Sequence, residues 1–521
     1  MQTLDGGSSK TLTAEIVYEN CNGYVLDQRG TRFSHLAVQG GRILALGSER
    51  DVRHLITTQT RQIDLNQQTV VPGLIDAHNH LIHYGIEATR SADLTGCTAI
   101  AEVKERLRQF RSTHPDQPWL LGHRFDQELF AEQRWPTKDD LDEISTDTPI
   151  MISRVCLHAV VVNSAALKFV RNQIGSEQLA TGILVEESAE LIWQHIPEPS
   201  FEQLKQAAMW AMQEARRVGL TGVNCMITSK EELDVIFSLH EEHALPLRLT
   251  LCCPYSMADF LSERGLTTRS GDDTLRIGSL KVFMDGSMGA RTAALKEPYA
   301  DDPDNVGVLF RNERDLADLL KQIQPRGFQA AIHAIGDLAI ECALKGIEDA
   351  MAFGNSGNRL RHRIEHASLM SPELIREMAR LRVVAVVQPQ FVITDFWTRD
   401  RVGPERYRWC YPFKTMLAEG IQLAMGSDCP VERLDSMELI CRAVNREPHS
   451  LSERLSPEET VRAYSFGSAY TSHQEVSLGT LEVGKFADFT VLSRDILSTE
   501  PEMTGETSVT GSAVGGIVQR S

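Results

Sequence analysis

The chain has no apolar run of the length that a membrane-spanning helix requires, so none is expected. Basic charge is in short supply. Lys and Arg number 53 against 71 Asp and Glu, the net charge is −18, and no basic patch stands out to offset it, which argues against nucleic acid as a partner. The 10 cysteines are scattered, with Cys252 and Cys253 adjacent but no C-x-x-C pair, as expected of reduced thiols in a cytoplasmic protein. The opening MQTLDGGSSK lacks a charged segment followed by an apolar one, so a signal peptide is not expected. Internal repeats and low-complexity tracts are also missing. What is present is a chain of 521 residues, 42% hydrophobic and 24% charged, ordinary for a soluble globular protein and long for one compact domain.

The most informative stretch is VVPGLIDAHNHLIHYG, where His78 and His80 stand two apart at the end of an apolar run. Residues i and i+2 of a strand share a face, so the two imidazoles are placed side by side, as a divalent metal needs them. On its own an H-x-H pair also fits two polar residues in a loop. Further apolar runs carry more such groups. RIGSLKVFMDG has Lys281 in its middle, with Phe283 and Asp285 on the same face by period two; FQAAIHAIGD carries His333, RHRIEHASLM carries His366, and GIQLAMGSDCPVE leads to Asp428. Helical patterns such as EELDVIFSLHEEH, LADLLKQIQ, AIECALKGIEDAM and PELIREMARL fall between the runs. Chemical groups gathered at the C-terminal ends of alternating strands are the pattern of a (β/α)8 barrel.

These segments resemble the amidohydrolase superfamily, and within it the amidohydrolase 3 branch of N-substituted formamide deformylase-like metal-dependent hydrolases. The likeness covers almost the whole chain: PGLIDAHNH, FDQ with WPTKDDLD, HAVVVNSAAL, KVFMDGSMGARTAAL, HAIGD, RIEHA, GSDCPV and LGTLEVGKFADFTVL.

Residues from about 12 to 72 read as short strands with turns, Gly40-Gly41 among them, and the tail repeats that texture around Gly515-Gly516. The resemblance implies that both ends meet in one small β-sandwich (1–72 and 471–521) beside a barrel over 73–470. The stretch between His80 and the next barrel-like strand, near 219–227, is far longer than a βα unit needs. It reads as an insertion, about 86–215, with a helical pattern in TAIAEVKERLRQFRS and a strand in PIMISRVCLHAVVV, and is expected to pack over the barrel mouth and shape the substrate pocket.

The resemblance also implies a ligand set. His78 and His80 would hold the more buried metal with Asp428, and His333 and His366 a second one; zinc is the first expectation, with manganese or iron as alternatives and one or two ions per chain. A lysine inside an apolar strand loses its charge readily, and the resemblance implies that Lys281 adds carbon dioxide to become a bridging carbamate. Asp428 would be the general base beside a metal-bound hydroxide, although an Asp there also fits a helix cap. His158 matches a family position near the substrate, or is a core histidine. Arg291 suits an anionic substrate group, or braces the loop after the Lys281 strand. Asp285 is a further substrate-side candidate. Glu365 reads as pointing to the opposite strand face from His366, and His240 and His243 as solvated. Asn224 and Cys225 depart from the His or Asp that many relatives carry there.

The function implied is hydrolysis of a non-peptide carbon–nitrogen bond: an amide, N-formyl group or cyclic amide in a small-molecule substrate. A lyase or decarboxylase on the same metal site, and a silent binding or scaffold protein, are the competing readings. A homodimer is the default assembly.

Overall fold

The computed structural model describes residues 13–154, 159–185, 187–354, 357–446 and 450–520. It separates into two compact units, one of residues 1–81 with 212–521 and one of 82–211.

The larger unit is built on eight parallel strands in consecutive order: β1 (Leu74–Asn79), β2 (Leu220–Met226), β3 (Arg248–Pro254), β4 (Leu275–Phe283), β5 (Gln329–Ala334), β6 (Arg363–His366), β7 (Val384–Val387) and β8 (Leu423–Met425). Parallel strands covered on both faces read as near-continuous apolar runs. β2 and β7 are accordingly buried at every position. The sheet closes toward a barrel where β8 ends: Asp428 N–H donates to His78 O at 2.8 Å, and His80 N–H to Cys429 O at 2.8 Å.

The intervening helices start where local chemistry satisfies their free amides. Asn312 Oδ1 accepts from Arg314 N and Asp315 N ahead of the helix Glu313–Ile323, which buries Leu316, Ala317, Leu320 and Ile323 along one stripe. Ser371 caps Pro372–Arg380, with Pro372 in the first turn, where its missing N–H costs nothing. Two small clusters of buried side chains pack among the barrel strands. Ala77, Val386 and Ala424 cluster together, as do Met226, Cys252 and Ala331.

The two chain ends meet in a sandwich of a four-stranded and a six-stranded sheet. The ends join directly, with Phe489 opposite Pro72 and Val491 opposite Val70 on antiparallel strands. Both Gly-Gly pairs are hairpin turns: Gly40 and Gly41 have φ of 56° and 73°, and Gly515 and Gly516 have 56° and 75°. Two successive positive φ values define the turn that matches strand twist, and glycine adopts it without strain. Between the sheets Tyr18, Phe33, Leu36, Ile43, Val70 and Phe489 form the core. Arg248 at the start of β3 makes a buried two-pronged ion pair with Asp488 of the sandwich, at 2.6 and 2.9 Å.

The smaller unit has its own five-stranded mixed sheet, in the order Ile183–Val185, Ala159–Val162, Ile150–Arg154, Leu120–Phe125 and Ser91–Asp93. The helix expected in TAIAEVKERLRQFRS spans Ile100–Thr113. The single strand expected in PIMISRVCLHAVVV is two antiparallel ones, with Met151 opposite Val162.

Candidate metal centre

Six side chains singled out by the sequence converge at the C-terminal ends of the barrel strands. Neighbouring registers bring these ends level: Phe283 pairs with His333 across β4 and β5, and Ala334 with His366 across β5 and β6. His78, at the end of β1, is central. Asp428 Oδ1 lies 3.2 Å from its Nε2 and 3.4 Å from His80 Nε2. Lys281 Nζ is 3.3 Å from the same His78 Nε2. The His366 ring stands 5.1 Å from that of His78 and 4.5 Å from that of His333. One donor atom from each of His78, His80 and Asp428 fits within 4.8 Å of the others.

The far side of three of the four rings is committed. His78 Nδ1 is hydrogen-bonded to Glu365 Oε2, His366 Nδ1 donates to Gln388 Oε1 at 2.8 Å, and His333 Nε2 donates to the Gly286 carbonyl at 2.9 Å. Each bond fixes a tautomer whose other nitrogen carries a lone pair. With Nδ1 engaged by Glu365, His78 presents Nε2 to Asp428 Oδ1 at 3.2 Å, two metal-ligating atoms that a cation between them would join. The residues fit a divalent metal on this ground as well as by their chemistry.

Electrostatics point the same way. Burial pushes His80 down, pushes His333 down to about 3, with Lys281 adding to the effect, and holds His366 well below the usual histidine range. Neutral imidazoles are the form that binds metal. Burial also lowers Lys281, which favours its uncharged amine. Burial alone would raise Asp428, yet His78 and His80 overturn that and hold it well below the usual carboxylate range, so it stays ionised.

Two of these residues carry backbone strain. His366 has φ of 73° and Asp428 of 57°, a region that residues with a Cβ occupy at a cost and that recurs at functional sites. The turn at His366 also corrects the reading of Glu365. The strand leaves extended geometry there, so strict alternation fails, and Glu365 points to His78. Arg363 Nε backs Glu365 at 2.8 Å. Gln388 and Asp76 carry no spacing that marks them. Asp76 is fully buried and takes Ser427 Oγ at 2.6 Å, Ser427 N at 3.1 Å, Asn79 Nδ2 at 3.1 Å and His78 N at 3.1 Å, which ties β1 to the Asp428 loop. Burial raises its carboxyl to about 6.

The remaining candidates lie elsewhere. β4 ends at Phe283, so the period that grouped Asp285 with Lys281 does not reach it. Asp285 is fully buried, accepts the amides of Ala294, Ile335 and Gly336 at 2.8–3.1 Å as a brace between two loops, and stands 3.6 Å from His333 Nε2. Arg291 is paired with Asp301 at 2.8 Å, the loop-bracing alternative. His158 lies outside the described residues. Asn224 is bonded to Thr471 and Ser472, and Cys225 is fully buried. His240, expected to be solvated, pairs with Asp272 at 2.7 Å.

Residues 61–518 match the model of the amidohydrolase family. The chain belongs to the amidohydrolase family. Among its relatives, YtcJ, a Bacillus subtilis protein named as an amidohydrolase, is 33% identical, with 92% of this chain and 94% of that protein covered. The N-substituted formamide deformylase of Arthrobacter pascens is 26% identical over 98% of this chain and 99% of its own length. In three dimensions this amidohydrolase is similar to a metal-dependent hydrolase from Pyrococcus furiosus, with a TM-score of 0.81 at 32% identity, covering 93% of this chain and all of that one (100%).

Proposed function

We propose that this amidohydrolase is a metal-dependent hydrolase of a non-peptide carbon–nitrogen bond, with N-formyl groups, other amides and cyclic amides as the substrate class. The observation that carries the reading is the convergence of His78, His80, His333 and His366 with ionised Asp428 and buried Lys281 at one end of the barrel. The formamide deformylase relative supports the choice of bond. His78, His80 and Asp428 would hold one divalent cation, His333 and His366 a second. Zinc is the first choice for this donor set, with manganese or iron as alternatives. A bound cation supplies Lewis acidity, lowering the pKa of water toward neutrality and polarising a carbonyl oxygen.

The protein's own groups do the rest. Asp428 Oδ1, ionised and facing both histidines, takes a proton from the attacking water and returns it to the leaving nitrogen. Lys281, uncharged in its apolar strand, adds carbon dioxide at Nζ; the N–C bond forms, one proton leaves, and the resulting carbamate supplies two oxygens facing His78. Phe283, 44% exposed with its ring 5.1 Å from that of His333, offers an apolar wall beside the reacting group.

The test is amine release from a panel of N-substituted formamides, other amides and cyclic amides by zinc-reconstituted protein, with and without chelator. Turnover that stops on chelation and returns with metal is expected. A metal-loaded protein that releases no amine from any class, or that acts only on decarboxylation substrates, overturns the reading.

A further inference from the structure

The imidazoles of the centre rest on acceptors of different strength. His78 is backed by a carboxylate, Glu365, which is fully buried and is itself held by the Arg363 guanidinium at 2.8 Å. Arg363 is 2% exposed and also reaches the carbonyl of Ala77, the residue before His78, at 3.4 Å. His366 is backed by the neutral amide oxygen of Gln388, and His333 by the Gly286 carbonyl. A hydrogen bond to a charged acceptor is roughly twice as strong as one to a neutral acceptor, and it raises the basicity of the ring's other nitrogen. The Asp428 carboxylate also stands at the His78 end, 3.2 and 3.4 Å from the two Nε2 atoms. One end of the centre therefore has a carboxylate facing the donor atoms and another behind them. At the other end the acceptors that hydrogen-bond the rings are neutral, and the one carboxylate near them, Asp285, stands 3.6 Å from His333 Nε2 and is taken up by three backbone amides.

We propose that Glu365, anchored by Arg363, is a positioning residue that makes His78–His80–Asp428 the tight metal position and leaves His333–His366 the exchangeable one. The inference rests on the metal centre of the proposed function and adds an order of affinity to it. It also gives a fully buried arginine a role: Arg363 holds the Glu365 carboxylate aimed at Nδ1, where an unbraced carboxyl would rotate.

The test needs no substrate. Zinc-loaded protein is mixed with an excess of a chromogenic chelator, and release is followed by absorbance. Two phases of about one equivalent each are expected for the unaltered chain. His80→Ala removes the slow phase and His366→Ala the fast one. Glu365→Gln keeps the side-chain shape and speeds the slow phase by about 10–100-fold without changing the fast phase, and Gln388→Met does the reverse. That selectivity is what a general loss of stability would not produce. If Glu365→Gln fails to fold, the phases of the unaltered chain and their assignment by the histidine variants still decide the matter. A chain that takes up no zinc overturns the proposed function as well. A chain that holds two equivalents but releases them in one phase, or in which Glu365→Gln speeds both phases alike, overturns this inference and leaves the metal centre standing.

Discussion

Gly426 lies so close to His78 that a Cβ on it would stand 2.5 Å from the His78 backbone nitrogen and 2.8 Å from its Cβ. The glycine is the only residue type that lets the end of β8 close against β1 here, and that closure places Asp428 beside His78 and His80. Gly426→Ala meets fixed backbone, so the strands must part. A loss of about 1–3 kcal/mol in denaturant unfolding is expected, together with loss of bound zinc at the His78 end. Unchanged zinc content would show that the close approach does not control the centre.

Asp428→Asn keeps the shape of the side chain and removes its capacity to take a proton. Folding and most of the metal are expected to persist, with kcat falling on the order of 10²–10⁴-fold. Near-normal turnover would take Asp428 out of proton transfer.

Lys281→Ala removes the amine that would carry the carbamate. The variant is expected to hold one zinc fewer per chain, and acetate or propionate to restore part of the loss. Zinc content equal to that of the unaltered chain would exclude the bridge.

Asp76→Ala removes a fully buried carboxylate that four donors share and takes an acceptor from Ser427 N, Ser427 Oγ, Asn79 Nδ2 and His78 N. Each unpaired donor costs about 1–3 kcal/mol. A drop of several degrees in Tm is expected, with a matching loss of metal affinity. Loss of Tm without loss of affinity would separate the brace from the centre.

Arg248→Met breaks the buried pair with Asp488 and leaves that carboxylate with the Gly515 amide at 2.7 Å and the nearby Arg216. Removing one partner of a buried pair costs about 3–5 kcal/mol. The measurement is the urea midpoint, and a shift within error would place the sandwich's anchorage elsewhere.

The barrel was legible in the sequence for a physical reason. Strands buried on both faces are apolar throughout, so a lone Lys281 or a terminal His333 stands out against its neighbours. The sandwich hairpins were legible because two adjacent glycines supply the two positive φ values their turns demand. Other features depend on what local pattern does not encode. Glu365 was assigned to the wrong face because alternation was extended one residue past the point where His366 turns into left-handed geometry. Its partner His78 lies 287 residues away, which no short-range spacing reveals. The period that groups Asp285 with Lys281 runs past Phe283, where β4 ends, and Asp285 meets the centre instead through His333, 3.6 Å away. The two antiparallel strands of PIMISRVCLHAVVV read as one because the segment contains no Gly, Asn or Asp, and no Pro after its first residue, to break the apolar run. No helix among the described residues is long and apolar enough to cross a membrane, as the composition led one to expect.

The central claim is that this amidohydrolase carries a divalent metal centre at the end of its barrel. Its most direct test is zinc per chain, measured by elemental mass spectrometry on protein purified without chelators and again after reconstitution. About two equivalents are expected, falling on His78→Ala and on His366→Ala. A reconstituted chain that holds less than one equivalent would contradict the account.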